Sequence, residues 1–112
     1  MPRKVRIELL VPTHYNPDEN GYRKVIEDRK HRLVKNYIIK KFGGITIHPE
    51  LLEGVWVNPK TKKRNYDICN KLEVCIKHKP TLEKELKQWK EKLKNLFSQV
   101  EIFMVHYNVI VV

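Results

Sequence analysis

The order in which two hydrophobic periods alternate along the chain constrains its fold more than any other feature. "RKVRIELLV", residues 3–11, sets Val5, Ile7, Leu9 and Val11 against Arg6, Glu8 and Leu10, the period of two that marks a strand buried on one face. "PTHYNPDENGY" follows, crowded with Pro, Asn, Asp and Gly, and predicts a loop. From Tyr22 to Phe42 the apolar positions Tyr22, Ile26, Leu33, Val34, Tyr37 and Ile38 recur at helical intervals, and Gly43 supplies a left-handed stop. "GGITIH" then starts a short strand, Pro49 interrupts it because proline cannot donate to a ladder, and "GVWVN" resumes it as a kinked or bulged edge. After the turn "NPKTKKR", the residues Tyr66, Ile68, Leu72, Val74 and Ile76 alternate with polar ones, Asn70 being the one break, and predict a long strand in a hairpin with its predecessor. Leu82, Leu86, Trp89, Leu93, Leu96 and Phe97 trace a second amphipathic helix. "VEIFMVHYNVIVV", β-branched and aromatic, closes the chain as a strand.

Strand, helix, strand, strand, helix, strand, joined by right-handed crossovers, folds as two split βαβ units. The order resembles the ferredoxin-like plait: an α+β domain with a four-stranded antiparallel sheet and both helices on one face. A chain of 112 residues is long enough for one core and too short for two, so residues 1–112 are expected to form a single domain. No apolar run approaches the ~20 residues that span a bilayer, so no membrane partner is expected. The start, "MPRKVRIELLVP", alternates as a strand does and offers no small-residue cleavage site, which reads as a cytoplasmic protein. Cys69 and Cys75, six apart on one strand and so separated by ~20 Å, are expected as free thiols.

One face of such a sheet packs on the helices and the other is bare. With Val5, Ile7 and Leu9, the alternating set from Tyr66 to Ile76, and Phe103, Val105, Tyr107 and Val109 assigned to the helices, Arg6, Glu8, Leu10, Asp67, Cys69, Glu73, Cys75, Met104, His106 and Asn108 fall on the bare side, with Thr46 and His48 as further candidates. Glu8, Glu73, Asp67, His48 and His106 would then form an acid/base constellation, the pocket of a small-ligand protein or enzyme. Against it, none of the five histidines makes an HxH, HxxxH or HExxH spacing, so neither metal ligands nor catalytic residues are assigned. No Walker lysine loop or GxGxxG is present, and no cofactor is expected. In the last strand Ile102, Met104, Ile110 and Val112 alternate with an equally apolar set, so a good part of it is expected to be covered on both faces, which predicts a homodimer through the sheet.

The formal net charge of +10 is densest on the first helix, at Arg29, Lys30, Arg32, Lys35, Lys40 and Lys41, and on the hairpin turn, at Lys60, Lys62, Lys63 and Arg64. Such patches attract phosphate backbones with steep salt dependence, so a binding protein for an anionic partner such as nucleic acid is the leading expectation. No RNP-type run occurs, which disfavours an RNA-recognition motif.

"VPTHYN", "FGGITI", "GVW" and "RNYDI", between residues 7 and 68, resemble a pattern of small uncharacterised proteins reading roughly P-T-x-x-N, F-G-G-x-T, G-x-W and Y-x-[DE]. The resemblance implies an alternating fold and brings no activity with it. Of the matching positions, Phe42, Trp56 and Tyr66 are expected in the core, Trp56 opposite Tyr66. The polar four, Thr13, Asn16, Thr46 and Asp67, are candidates for a small site at the strand ends; turn and cap hydrogen bonds are their other reading.

Overall fold

A computed structural model describes residues 3–112; Met1 and Pro2, the start of the expected domain, lie outside the described residues. The elements run β1 (Arg3–Pro12), α1 (Asp28–Phe42), β2 (Thr46–Ile47), β3 (Leu52–Val57), β4 (Arg64–Lys77), α2 (Leu82–Leu96) and β5 (Met104–Ile110). The fold is α+β, two helices with one antiparallel sheet. Across it the order is β2, β4, β1, β5, with β3 also paired to β4, so the arrangement is in part that of the expected plait.

The sheet has five strands where four were expected, and the cause is local. Ile47 pairs with Leu72 and Leu52 with Cys69. Five steps on the edge therefore face three on β4, and the excess is looped out around Pro49, which has no N–H to offer the ladder. The interruption divides the edge into β2 and β3.

Val5, Ile7, Leu9 and Val11 of β1 are buried with Leu72 and Val74 of β4, Val34 and Ile38 of α1, and Leu82, Leu86, Trp89 and Leu93 of α2, in one cluster sealed by Phe97 and Ile102. Trp89 ties the helices together, its ring 5.1 Å from that of Tyr37 and 6.1 Å from Phe42. The second helix is as its spacing predicts. The first begins at Asp28, not Tyr22, because the backbone of residues 24–26 is already committed: Lys24 and Ile26 exchange hydrogen bonds with Tyr15 and Thr13, and Val25 bridges His14. Gly43 ends α1 at φ 85° with its N–H on the Ile39 carbonyl, the left-handed stop expected of it.

The register of β5 inverts the expected faces. Ile7 stands opposite His106 and Leu9 opposite Met104, whereas Arg6 faces Tyr107 and Glu8 faces Val105. Directly paired residues share a face, so His106 and Asn108 lie on the helix side and Tyr107 on the open side. Each residue set of β5 contains apolar side chains, Met104 and Ile110 in one and Val105 and Val109 in the other, so neither face is uniformly polar and the His106 and Asn108 of the first set point to the wrong parity.

β4 outruns its support. β1 stops at Pro12, opposite Cys69, while β4 extends back to Arg64, where β3 is its ladder partner. No residue of β3, nor of β4 before Leu72, is fully buried. The two strands form an arm that leaves the core, which explains extents of 52 × 29 × 26 Å and a radius of gyration of 15.3 Å, against ~13 Å for a compact chain of this length.

Candidate nucleic-acid interface

The arm ends in a turn built by Asn58. Its side-chain oxygen accepts from the N–H groups of Lys60 (2.8 Å) and Thr61 (3.3 Å), and Lys62 takes the left-handed conformation at φ 61°. That geometry turns Lys60, Lys62, Lys63 and Arg64 outward, and all four are exposed. Among the described residues none of them makes a salt bridge, so the tip is a cluster of unneutralised cations.

Below the tip, Val55 pairs with Tyr66 and Trp56 with Asn65. The expected Trp56–Tyr66 pair is thus corrected: the two rings point to opposite faces of the arm, and with no core beneath them they are 43% and 53% exposed. Trp56 instead donates its indole N–H to Asp67 Oδ2 at 2.7 Å, across the diagonal of the ladder. The other carboxylate oxygen of Asp67 receives Arg23 Nη2 at 2.8 Å. Arg23 also donates to the carbonyls of Tyr66 and Tyr15, while Thr13 donates to the Ile68 carbonyl through both its N–H (2.9 Å) and its hydroxyl (3.0 Å). Residues 13–25 therefore cap the edge of β4 that β1 leaves bare, and brace the arm. Nothing in the spacing of Arg23 separates it from the other cations in sequence.

The basic face of α1 is less uniform than its sequence. Arg29, Arg32 and Lys40 are exposed and Lys35 is half-buried, none with a salt bridge among the described residues. Lys30 is drawn down onto the Tyr15 hydroxyl at 2.6 Å and lies 3.7 Å from Glu27, leaving 14% of its side chain exposed. Lys41 lies 3.9 Å from Glu85 and over the rings of Tyr37 and Phe42. Those two lysines are committed within the fold. The Tyr15 hydroxyl also donates to Glu27, and this hydrogen bond is the main reason the Glu27 carboxyl is held down at about 2.

On the open face the structure brings together Glu8, Glu73 and His48. Lys71 Nζ stands between the two carboxylates, 3.1 Å from Glu73 Oε1 and 3.5 Å from Glu8 Oε1; His48 Nε2 is 3.1 Å from Glu73, and the Tyr107 hydroxyl donates to Glu8 at 2.7 Å. Arg6 closes the group 3.6 Å from Glu73 Oε2. Burial pushes the Glu73 carboxyl up, but the hydrogen bond and charge of Lys71, with His48, outweigh it and leave it below the ordinary 4.5. Lys71 rises in return, chiefly through Glu73, and Tyr107 rises through its bond to Glu8. His106 is not in this cluster, because the register of β5 places it on the other side. Lys71 and Tyr107, missed as site residues, complete it.

Thr46 pairs with Glu73 beside a cleft of about 240 Å³ lined by residues 42–46 and 73–75. Asp67 is six residues along β4 from Glu73, ~20 Å away at strand rise, so the small site expected of Thr13, Asn16, Thr46 and Asp67 is divided. Thr13 and Asp67 join the brace, Thr46 the open-face cluster, and Asn16 is exposed in the loop. Cys69 and Cys75 are free thiols, and burial pushes Cys69 up. Among the described residues no three His, Cys, Asp or Glu side chains are grouped to hold a metal ion, and no helix is long and apolar enough to cross a membrane. No protein-family model, curated protein or solved structure matches the chain.

Proposed function

We propose that this protein binds a polyanion, nucleic acid in the first instance, with the β3–β4 arm as its principal contact and the exposed cations of α1 as a second. The observation that carries this reading is the arm itself. A lone hairpin gains little from folding, yet this one is braced from below by Arg23 and Thr13 and presents four free cations at its end. Counting the interrupted edge as one strand makes the sheet order that of the ferredoxin-like plait, with the arm as an extension of its edge hairpin. Mobility shift of a labelled oligonucleotide at low and moderate salt tests the proposal: binding that falls steeply with salt supports it, and no shift at low salt removes it.

A homodimer through the sheet accompanies this reading. The outer edge of β5, "MVHYNVI", contains neither charge nor proline, the usual guards of an edge strand. Light scattering at micromolar concentration decides it, a monomeric mass counting against. The second reading, a small-ligand protein or enzyme, rests on the cleft beside Thr46 and Glu73. It predicts that Glu73→Gln abolishes a small-molecule interaction and leaves oligonucleotide binding intact.

A further inference from the structure

We infer that the arm takes single-stranded nucleic acid, with one unpaired base stacked on the indole of Trp56 and the tip cations holding the flanking phosphates. This rests on the polyanion reading above and narrows it to a substrate class.

Charge is the first support. From Gly54 through Tyr66 there is no acidic residue, while four cations crowd the tip. The nearest carboxylate to Trp56 is Asp67, and Arg23 at 2.8 Å neutralises it. An approaching phosphate therefore meets only positive potential along the distal arm.

The state of the indole is the second. Its single polar atom is consumed by Asp67, so any ligand that touches the exposed ring meets an apolar π-surface and nothing that reads hydrogen bonds. The same bond fixes the ring before a ligand arrives, which removes part of the ordering cost of binding.

Space beside the ring is the third. Gly54 precedes Trp56 by two positions and so shares its face of β3, ~6.6 Å away at strand rise. A Cβ built there would meet no atom within 4 Å. β3 thus carries no side chain next to its exposed tryptophan on that face, and a flat group can lie against the strand there, across from Asp67. A duplex keeps its base faces inside the stack, and opening a step costs at least what one aromatic contact returns. Single strands present those faces without that penalty.

Fluorescence anisotropy of a labelled oligo(dT), and of a duplex of equal length, titrated with the wild-type protein, Trp56→Ala and Gly54→Val, provides the test. Gly54 is a suitable site: its backbone is not in the left-handed region and the space is open, so a β-branched side chain fits the strand while occupying the ground beside the indole. Expected are preference for the single strand, quenching of the emission that Trp56→Ala removes over the background of buried Trp89, and binding weakened about 5- to 150-fold in both variants. The dependence of affinity on salt should be unchanged in both, because no cation is removed. Equal affinity for the duplex, or variants that bind oligo(dT) as the wild type does, overturn the stacking inference and leave the polyanion reading standing. Absence of any anisotropy change at low salt overturns both.

Discussion

Trp56 and Asp67, diagonal neighbours on the β3–β4 ladder, are joined by an indole hydrogen bond of 2.7 Å, and the carboxylate so engaged is the one that Arg23 grips from the loop beyond β1. The exposed indole is thereby connected to the main body through two side chains. Arm and body are coupled at this point.

Arg23→Ala should loosen the arm without unfolding the domain. It removes a charge-assisted bond to Asp67 and donors to two carbonyls, all in a quarter-exposed setting, so a loss of about 1–2 kcal/mol is expected. Hydrogen exchange distinguishes the consequence: amides of β3 and of β4 before Leu72 should exchange faster, while those of β1 keep their protection.

Neutralising the tip separates attraction from stacking. With Lys60, Lys62, Lys63 and Arg64 all changed to Ala, the slope of log affinity against log salt for a single strand should shrink by up to about 3, near 0.7 for each phosphate that no longer meets a cation. A parallel Arg29, Arg32 and Lys40 variant measures what α1 adds. Stability should change by less than about 0.5 kcal/mol in either, since these side chains make no salt bridge among the described residues.

Core and arm should differ sharply in their response to truncation. Phe97 and Leu86 are sealed among the helices and β1, and Phe97→Ala should cost about 3–5 kcal/mol and Leu86→Ala about 2–5. Val55→Ala, on a strand exposed throughout, should cost about 1 kcal/mol or less. Urea denaturation of the three variants checks the ranking.

Glu73 makes stability depend on acid. Its folded pKa lies below the ordinary 4.5, so its contribution is complete above that value and is lost as pH falls through the depressed one. The groups facing it are Lys71, His48 and Arg6, with Glu8 and Tyr107 completing the network. Glu73→Gln should therefore lower stability near neutrality by about 1 kcal/mol and flatten the decline below pH 4.5, read as melting temperature against pH.

The sequence was most legible where one period dominated. The spacing of Leu82, Leu86, Trp89 and Leu93 placed the second helix, and the alternation around Ile7 and Val74 placed the two central strands with the correct side inward. It was silent where both periods or both faces were satisfied. β5 has apolar residues on each side, so its parity, and with it the positions of His106 and Tyr107, is set by pairing with β1. Residues 22–27 have helical spacing, but their backbone was claimed by residues 13–15 through hydrogen bonds that no local pattern encodes. For the site, alternation put Glu8 and Glu73 on one face and composition marked the tip cations. Trp56 and Tyr66 have the pattern of core residues, because aromatic residues in a hairpin ordinarily pack, yet they are exposed because β1 ends at Pro12 and does not extend under them.

That early end of β1 divides labour along β4. Its later half is held by β1 along its length and by β2 at Leu72 and Glu73, and it carries the buried Leu72 and Val74, so substitutions there are judged by whether the molecule survives. Its earlier half rests on β3 and on the brace of Arg23 and Thr13, with no fully buried side chain of its own. Beyond the Trp56–Asp67–Arg23 link the hairpin tip can thus be lengthened, recharged or exchanged as a module without touching the core.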